Sequence, residues 1–242
     1  MTTRMDLRPL FAPQSVAIVG ASPSNPAAHD ALVNFQQLPF DGRVGAVNPR
    51  YDEVLGFPCV PSLSDLDFVP ETVVACVNRD RALTTLEEAA ELGSRAAVVF
   101  GIGFGERDED GKGRQERLET VARDAGVAVL GPNCQGLINF DARIALYLND
   151  VRPYEPGAVG LISQSGSITT ALTNNERGVR WRYIVSSGNE AVVRAADLLD
   201  YMIEDEECRV VCMFLEAIRD PDRFFAACDR AADRDLPLVV LK

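Results

Sequence analysis

The chain has 242 residues, a hydrophobic fraction of 47%, a charged fraction of 25% and a net charge of −12. These values are typical of a globular protein with room for more than one compact domain. The acidic balance argues against duplex nucleic acid or an anionic membrane as the main partner, because both bind clustered Lys and Arg. No run of about 18 apolar residues predicts a membrane span, and the first ten residues lack the apolar core of a signal peptide.

The cysteine and histidine content argues against a metal site. None of the six cysteines forms a Cys-x-x-Cys pair, and His29 is the only histidine. We therefore expect no structural zinc. Cys76 and Cys212 lie inside apolar runs and are predicted to be buried thiols, which indicates a reducing, cytoplasmic compartment.

Predicted strands and helices alternate from the first residues onward. Apolar runs predict strands at 15–19, 43–47, 72–77, 96–100 and 127–130, and helix formers predict helices at 28–37, 81–92 and 113–125. The runs are continuous rather than alternating, which is typical of strands buried on both faces of a parallel sheet. We therefore predict an α/β domain with right-handed crossovers over residues 1–149.

A second α/β pattern follows a stretch with Pro and Gly at 150–157, which we interpret as a linker. Its predicted strands are at 159–162, 182–185, 210–215 and 238–241, and its predicted helices are at 167–175, 195–203 and 223–232. Because a parallel strand normally leads into a crossover, we expect this second domain, residues 150–242, to continue beyond Lys242.

Small and polar residues follow the predicted strands, at the edge where open parallel sheets bind ligands. Gly20-Ala21-Ser22 follows the first strand, and a phosphate can approach a helix N-terminus there. The pattern is not Gly-x-Gly-x-x-Gly, and Asn48 stands where an NAD-binding protein has an acidic residue, so an NAD(P)-dependent oxidoreductase is disfavoured. Turn chemistry explains Asn48-Pro49 equally well.

Two further candidates lie in the second domain. Ser163-Gln164-Ser165-Gly166 stands at a strand-to-helix turn, which is a suitable anion site. It resembles a nucleophile elbow but lacks the first Gly, and a serine hydrolase would also need a base. Glu216 follows a predicted strand and is either a surface residue or a carboxylate that orients a cationic partner.

Seven segments together resemble one family, the NDP-forming acyl-CoA synthetases, which includes the succinyl-CoA synthetase α subunit. They are SVAIVGAS (15–22), VNPRYDEVLG (47–56), GFGE (103–106), GPNCQGLIN (131–139), GLISQSGS (160–167), SSGNEAVV (186–193) and FLEAIRD (214–220). The resemblance implies a Rossmann-like CoA-binding domain over 1–149, followed by a flavodoxin-like α/β ligase domain over 150–242.

The same resemblance implies roles for individual residues. Those expected to contact coenzyme A are Gly20, Ala21, Ser22, Pro23, Ser24, Asn25, Asn48, Pro49, Arg50, Val77, Asn78, Gly103, Phe104, Gly105 and Glu106. Asn133 is expected near the CoA thiol, and Glu216 is expected to orient a phosphohistidine. The phosphate-binding residues are expected to be Ser163, Gln164, Ser165 and Gly166. Asn78 replaces a proline that the family usually has, and Thr170 and the region 177–180 are candidates for contact with the acyl group.

The implied activity is that of an acid–CoA ligase, which uses a carboxylic acid, CoA and ATP and releases ADP and phosphate. The phosphohistidine is expected beyond this chain, and ATP and Mg²⁺ are expected only in the full enzyme. Its partners are expected to be an ATP-grasp domain or β subunit in a homo- or hetero-oligomer. Because the chain lacks the histidine, a non-catalytic module that senses CoA or acyl-CoA is the alternative.

Overall fold

The computed structural model of the protein describes residues 4–174 and 178–242. The strands of its first sheet are β1 (Ser15–Val19), β2 (Arg43–Val47), β3 (Glu53–Val54), β4 (Phe57–Val60), β5 (Thr72–Ala75), β6 (Ala96–Val99) and β7 (Ala128–Leu130). They lie in the order β3-β4-β2-β1-β5-β6-β7, and all neighbours are parallel apart from the β3–β4 hairpin. The helices of this part are α1 (Arg8–Phe11), α2 (Pro26–Gln37), α3 (Arg79–Leu92) and α4 (Glu109–Ala125), with a short 3₁₀ helix at Leu63–Asp65.

Both faces of the first sheet are buried, as the apolar runs predict. Val16 and Ile18 of β1 pack into one hydrophobic cluster, whereas Ala17 and Val19 pack into another on the opposite face. Successive side chains of a strand point to opposite faces, so a strand covered on both sides must be apolar throughout. The prediction of a parallel α/β fold is confirmed.

The second sheet is built from β8 (Gly136–Asn139), β9 (Ile144–Tyr147), β10 (Val159–Ser163), β11 (Trp181–Ser186), β12 (Val210–Phe214) and β13 (Leu238–Leu241). Their order is β13-β12-β10-β11-β8-β9. The neighbours from β13 to β11 are parallel, and the β8–β9 hairpin is antiparallel to β11. The helices are α5 (Gly166–Thr173), α6 (Ala195–Glu204) and α7 (Pro221–Asp233).

The β8–β9 hairpin is a difference from the sequence prediction. We expected these residues to belong with the first domain, but Leu137 of β8 pairs with Val185 of β11, and Ile138 pairs with Ile184. The chain therefore leaves the first sheet after β7, and a division at 149/150 separates the hairpin from its pairing partner. Local sequence does not reveal such a pairing, because it depends on which distant strand presents a free edge.

The two sheets share one core. The Asn139 side chain of β8 donates to the carbonyl of Phe11 at 2.9 Å, and the Asn34 side chain of α2 donates to the carbonyl of Tyr147 at 3.0 Å. The Phe11 ring stacks on Tyr201 of α6 with centroids 4.0 Å apart. One hydrophobic cluster contains residues of both sheets. This shared core fixes the two sheets and their loops relative to each other.

Helix starts differ from the predicted ones by up to four residues. Asn78 Oδ1 accepts from the Arg81 N–H at 3.0 Å and begins α3 at Arg79, and Asp108 Oδ1 accepts from the Gly111 N–H at 2.8 Å and begins α4 at Glu109. These first turns are polar, so apolar periodicity does not reveal them. The predicted end of α5 at position 175 lies outside the described residues. No helix within the described ranges is both long and apolar enough to cross a membrane.

Candidate functional site

The turn after β1 depends on Gly20. Its backbone φ is +88°, and its N–H donates to the carbonyl of Val47 at 2.9 Å. A Cβ at this position would lie 2.4 Å from the carbonyl oxygen of Cys76. Glycine is required because the neighbouring strand end is so close. Strand packing is thus one reason for this glycine, and the expected contact of Gly20 with CoA stays a prediction.

The loops after β1 and β2 form a polar shelf, which consists of residues 20–25 and 48–51. The Asn48 side chain donates to the carbonyl of Ala21 at 2.7 Å, so the two loops are joined. The Ser22 hydroxyl lies 3.0 Å from the Ser24 hydroxyl and 3.5 Å from the Tyr51 hydroxyl. The exposed positions that complete the shelf are Pro23, Pro49 and Arg50.

A cleft of about 590 Å³ lies at the carboxyl ends of β1, β5 and β6. Among the residues expected to contact CoA, it is lined by Asn25, Val77 and Asn78. The Asn25 side chain donates to the carbonyls of Gly20 at 2.9 Å and Cys76 at 2.7 Å, which fixes this wall. Lining residues that the sequence reasoning missed include Arg79, Phe100 and Ile102. Ile102 is 70% exposed, so it offers an apolar surface to a ligand.

Glu106 organises the loop after β6 rather than the cleft. Its carboxylate accepts from the backbone N–H groups of Gly103 and Phe104, and from the Asn189 side chain at 2.6 Å. Partial burial alone would raise the pKa of Glu106, but the hydrogen bonds from Asn189 and the backbone outweigh it and lower that pKa. With Gly105 it lines a separate cavity of about 330 Å³, which Asn189 and Arg219 also line.

Asn133 lies where the two sheets' loops meet. Its side chain donates to Asn189 Oδ1 at 3.2 Å, and the Asn189 N–H donates to the carbonyl of Pro132 at 2.9 Å. A Cβ on Gly188 would lie 2.3 Å from that same Pro132 carbonyl oxygen, so the contact is close. The adjacent Cys134 is buried, and burial raises the pKa of its thiol to about 12. Cys134 is therefore a packing residue, and Asn133 is the exposed group at this junction.

The loop at 163–166 forms the N-terminus of α5. The Ser165 hydroxyl caps the helix by accepting from the Ile168 N–H at 3.4 Å. The Ser163 hydroxyl accepts from the Ser165 N–H at 3.2 Å and donates to the Ser165 carbonyl at 2.9 Å. A Cβ on Gly166 would lie 3.1 Å from the Gln135 side chain. The loop is therefore rigid and lies against the residue that follows Cys134.

Gln164 binds protein rather than facing a ligand. Its Oε1 accepts from the Glu216 N–H at 2.7 Å and the Ala217 N–H at 2.8 Å, while its Nε2 donates to the Ala217 carbonyl at 2.7 Å. All three bonds hold the loop after β12. We therefore assign Gln164 to positioning Glu216, whose side chain is exposed at the same edge.

Two polar residues near these loops escaped the sequence reasoning. Gln135 Oε1 accepts from the hydroxyls of Tyr147 and Thr170, both at 3.0 Å. Of the candidates for contact with the acyl group, Thr170 is therefore bonded to the protein, and Arg177 lies outside the described residues. Glu190 is 3% exposed, and its Oε1 accepts from the Ser187 hydroxyl at 2.8 Å. Burial raises the pKa of Glu190, although its polar neighbours oppose this. The only sequence signals for Gln135 and Glu190 were their positions in the GPNCQGLIN and SSGNEAVV segments.

Comparison with known proteins agrees with this geometry. Residues 14–139 match a family described as a CoA binding domain, and residues 156–242 match a succinyl-CoA ligase like flavodoxin domain. The chain is 33% identical over 239 residues to a trans-feruloyl-CoA synthase from an unknown prokaryotic organism, covering 96% of this chain and 34% of that protein. An ADP-forming acetate–CoA ligase of Archaeoglobus fulgidus is 33% identical over 235 residues, with the same two coverages.

A solved structure shows the same relationship in three dimensions. It is the acetyl-coenzyme A synthetase 1 of Ca. Korarchaeum cryptofilum in complex with phosphate and ADP, with a TM-score of 0.90 and 32% identity over 98% of this chain and 51% of that one. The chain belongs to the NDP-forming acyl-CoA synthetase family. This acyl-CoA synthetase chain spans about a third of the length of the two curated relatives named above.

The residues of this synthetase chain fit a CoA ligand at the cleft. CoA carries both apolar and phosphorylated parts, and the cleft offers Ile102 and Phe100 beside a guanidinium. The Nη1 atom of that guanidinium, on Arg79, is buried and has no hydrogen-bond partner in the described part of the chain. A buried donor without a protein acceptor requires an explanation, such as an ordered water molecule or a ligand. The single histidine of the sequence, His29, is half-buried in α2, and its Nδ1 is 3.5 Å from Asp30 Oδ1.

Proposed function

We propose that this chain is the CoA-binding and phosphate-handling part of an acid–CoA ligase, which forms acyl-CoA from a carboxylic acid, CoA and ATP and releases ADP and phosphate. In this proposal CoA lies across the polar shelf and the cleft of the first sheet. A phosphohistidine from a segment outside this chain approaches the N-terminus of α5. The reaction is completed when the CoA thiol attacks the acyl carbon of an acyl phosphate and phosphate leaves.

One observation carries the proposal: Asn133, at the end of the first sheet, meets the loops at the carboxyl edge of the second sheet. Asn133 contacts Asn189 in the loop after β11. The Ser187 N–H of that same loop donates to the carbonyl of Ser163 at 2.8 Å, at the start of the next loop of this edge. The CoA thiol and an acyl phosphate must come together in this reaction. The proposal is supported because Asn133, expected near the thiol, contacts the loop that is itself bonded to Ser163 of the loop expected to hold the phosphate.

The chain's own residues can stabilise both charged groups. The first turn of α5 has backbone N–H groups and a helix dipole that favour an anion, and Ser165 holds this turn in place. Such preorganised donors stabilise a travelling phosphoryl group and a developing oxyanion. In this proposal the Glu216 carboxylate accepts an N–H from the imidazole, and Gln164 holds the Glu216 backbone after β12.

In this proposal, the binding of ATP requires a domain or subunit outside this chain. We propose that an ATP-grasp domain or β subunit binds ATP and Mg²⁺, and that it assembles with this chain in a homo- or hetero-oligomer. All six cysteines are free thiols, which supports a reducing, cytoplasmic setting. The relatives named above act on acetate or form feruloyl-CoA, so family membership alone does not fix the acyl group.

Calorimetric titration of the purified chain tests the ligand. We expect CoA to bind and NAD not to bind under the same conditions. NAD binding without CoA binding would show that the cleft is a dinucleotide site, and the proposal would be wrong.

A cysteine-capture experiment tests where the thiol lies. In an Asn133→Cys variant treated with CoA disulfide, the new thiolate attacks one sulfur, and one CoA leaves as a thiol. We expect this mixed disulfide to form faster at position 133 than in an Arg50→Cys variant, because we propose that Arg50 lies at the phosphate end of CoA. Peptide mass spectrometry separates these products from native cysteines. Equal or slower capture at position 133 would contradict the placement.

A further inference from the structure

Arg79 is a cation in an unfavourable local position. It is the first residue of α3, where the helix dipole disfavours positive charge. Its side chain is only 28% exposed, and Nη1 is buried without a hydrogen-bond partner among residues 4–174 and 178–242. Burying an unpaired guanidinium nitrogen is costly. Neither the helix nor the local packing explains why an arginine stands here.

The nearby carboxylates do not satisfy Arg79. Its Nη2 is 3.9 Å from Asp110 Oδ2, which exceeds hydrogen-bond distance. Arg114 instead takes both acids of this group, with its Nε 3.0 Å from Asp110 Oδ2 and its Nη1 bonded to Asp80. The charges of the two arginines and the two carboxylates cancel in sum. Arg79 therefore keeps N–H groups free to donate to a ligand.

Gly103 makes room for this side chain. It has a φ of +92°, and a Cβ there would lie 2.9 Å from Arg79 Nη1 and 3.0 Å from Arg79 Cδ. The loop after β6 therefore passes directly over the guanidinium. Arg79 is also one of the residues that line the 590 Å³ cleft. Gly103 thus contributes to the site by accommodating Arg79.

We propose that Arg79 binds a phosphate group of CoA in the cleft. The inference rests on the proposed function, because it assumes that CoA is the ligand. The planar guanidinium has several N–H donors that match a phosphate oxyanion, and the side chain is 28% exposed where it lines the cleft, so its accessible N–H groups can reach a phosphate. Both the diphosphate and the 3′-phosphate of CoA have this chemistry.

The test is a calorimetric titration of wild type, Arg79→Gln and Arg79→Lys with CoA, dephospho-CoA and pantetheine. We expect Arg79→Gln to bind CoA about 10- to 100-fold more weakly, because charge-assisted hydrogen bonds to the phosphate are lost. Arg79→Lys should recover part of the affinity, since it restores charge without the planar fork. Added salt should weaken CoA binding to wild type more than to Arg79→Gln. Pantetheine, which has no phosphate, should bind all three proteins about equally.

Arg81→Gln is the matched control. Arg81 lies two residues later in α3, is exposed, and has no hydrogen-bond or ion-pair partner for its side chain in the described part of the chain. This variant removes the same charge from the same helix, so we expect its CoA affinity to equal that of wild type. Thermal unfolding of all variants checks that they are folded.

The results with the three ligands show whether Arg79 binds a phosphate of CoA, and which one. A loss with both CoA and dephospho-CoA assigns the diphosphate, and a loss with CoA alone assigns the 3′-phosphate; either result supports the proposal. Unchanged CoA affinity in folded Arg79→Gln, an equal loss with pantetheine, or an equal loss in Arg81→Gln would overturn it. If wild type does not bind CoA, the proposed function fails together with this inference.

Discussion

The hydrogen bonds of Gln164 allow a quantitative prediction for the loop that holds Glu216. In a Gln164→Ala variant, the N–H groups of Glu216 and Ala217 lose their acceptor, and the Ala217 carbonyl loses its donor. These three bonds connect the N-terminal loop of α5 with the loop after β12. Without them, we expect the Glu216 loop to open more often while the rest of the second sheet is retained.

The magnitude follows from the number of bonds and their exposure. A neutral hydrogen bond contributes about 0.5–1.5 kcal/mol net. Glu216 is exposed, so water replaces its lost acceptor at little cost, and the two bonds of the half-buried Ala217 dominate. The opening free energy should therefore fall by about 1–3 kcal/mol, which accelerates amide exchange about 5- to 150-fold.

Amide hydrogen exchange measured by NMR reports on the two N–H groups directly. We expect faster exchange at Glu216 and Ala217 in Gln164→Ala, and an intermediate effect in Gln164→Glu, which keeps the acceptors but loses the donor. Gln37→Ala is the control, because the Gln37 side chain has no hydrogen bond in the described part of the chain. Unchanged exchange of both amides in Gln164→Ala would refute the positioning role.

Three further predictions concern stability and are measured by urea unfolding. Gly20→Ala should destabilise by about 2–5 kcal/mol through backbone strain and a clash, whereas Gly93→Ala, at a φ of +90° with open space, should cost only about 1–2 kcal/mol; equal costs would contradict the strand-packing explanation. Burial raises the pKa of Glu190, so wild type loses stability as pH rises and this carboxyl ionises. Glu190→Gln has no such loss, and its stability relative to wild type should therefore increase from pH 4 to pH 8; a constant difference would disprove this. Asn189→Asp places a second carboxylate beside Glu106 and should cost about 0.5–2 kcal/mol at pH 7 and less at pH 4; Asn189→Ala loses the hydrogen bond that lowers the pKa of Glu106 but adds no charge, so its pH dependence should have the same sign and be smaller.

Much of the fold is predictable from sequence because its signals are local. Continuous apolar runs predict the buried parallel strands, and most strand ends match within one or two residues. The β3–β4 and β8–β9 hairpins were missed; β3 has only one buried residue, Val54, whereas β8 and β9 are as long and as buried as the predicted β5 and β6. The sheet that a short strand joins depends on non-local pairing, which one sequence does not specify.

The sequence likewise predicted some residues of the candidate site and not others. Motif resemblance led to Asn25, Val77 and Asn78, which line the cleft together. It did not lead to Arg79, because an arginine at the start of a helix is unremarkable until its partners are known. The structure shows that its Nη1 has no acceptor in the described chain, and it shows that Glu106 and Gln164 are engaged by protein groups.

The sequence by itself determined the alternation of buried strands and helices, the small residues at their carboxyl ends, and membership of the synthetase family. Those features depend on the order of residues along the chain, where apolar period and motif spacing are directly visible. The tertiary structure alone decided that β8 and β9 join the second sheet and that Asn133 meets Asn189. It also decided which polar side chains stay free for a ligand, because hydrogen-bond satisfaction depends on groups brought together from distant parts of the chain.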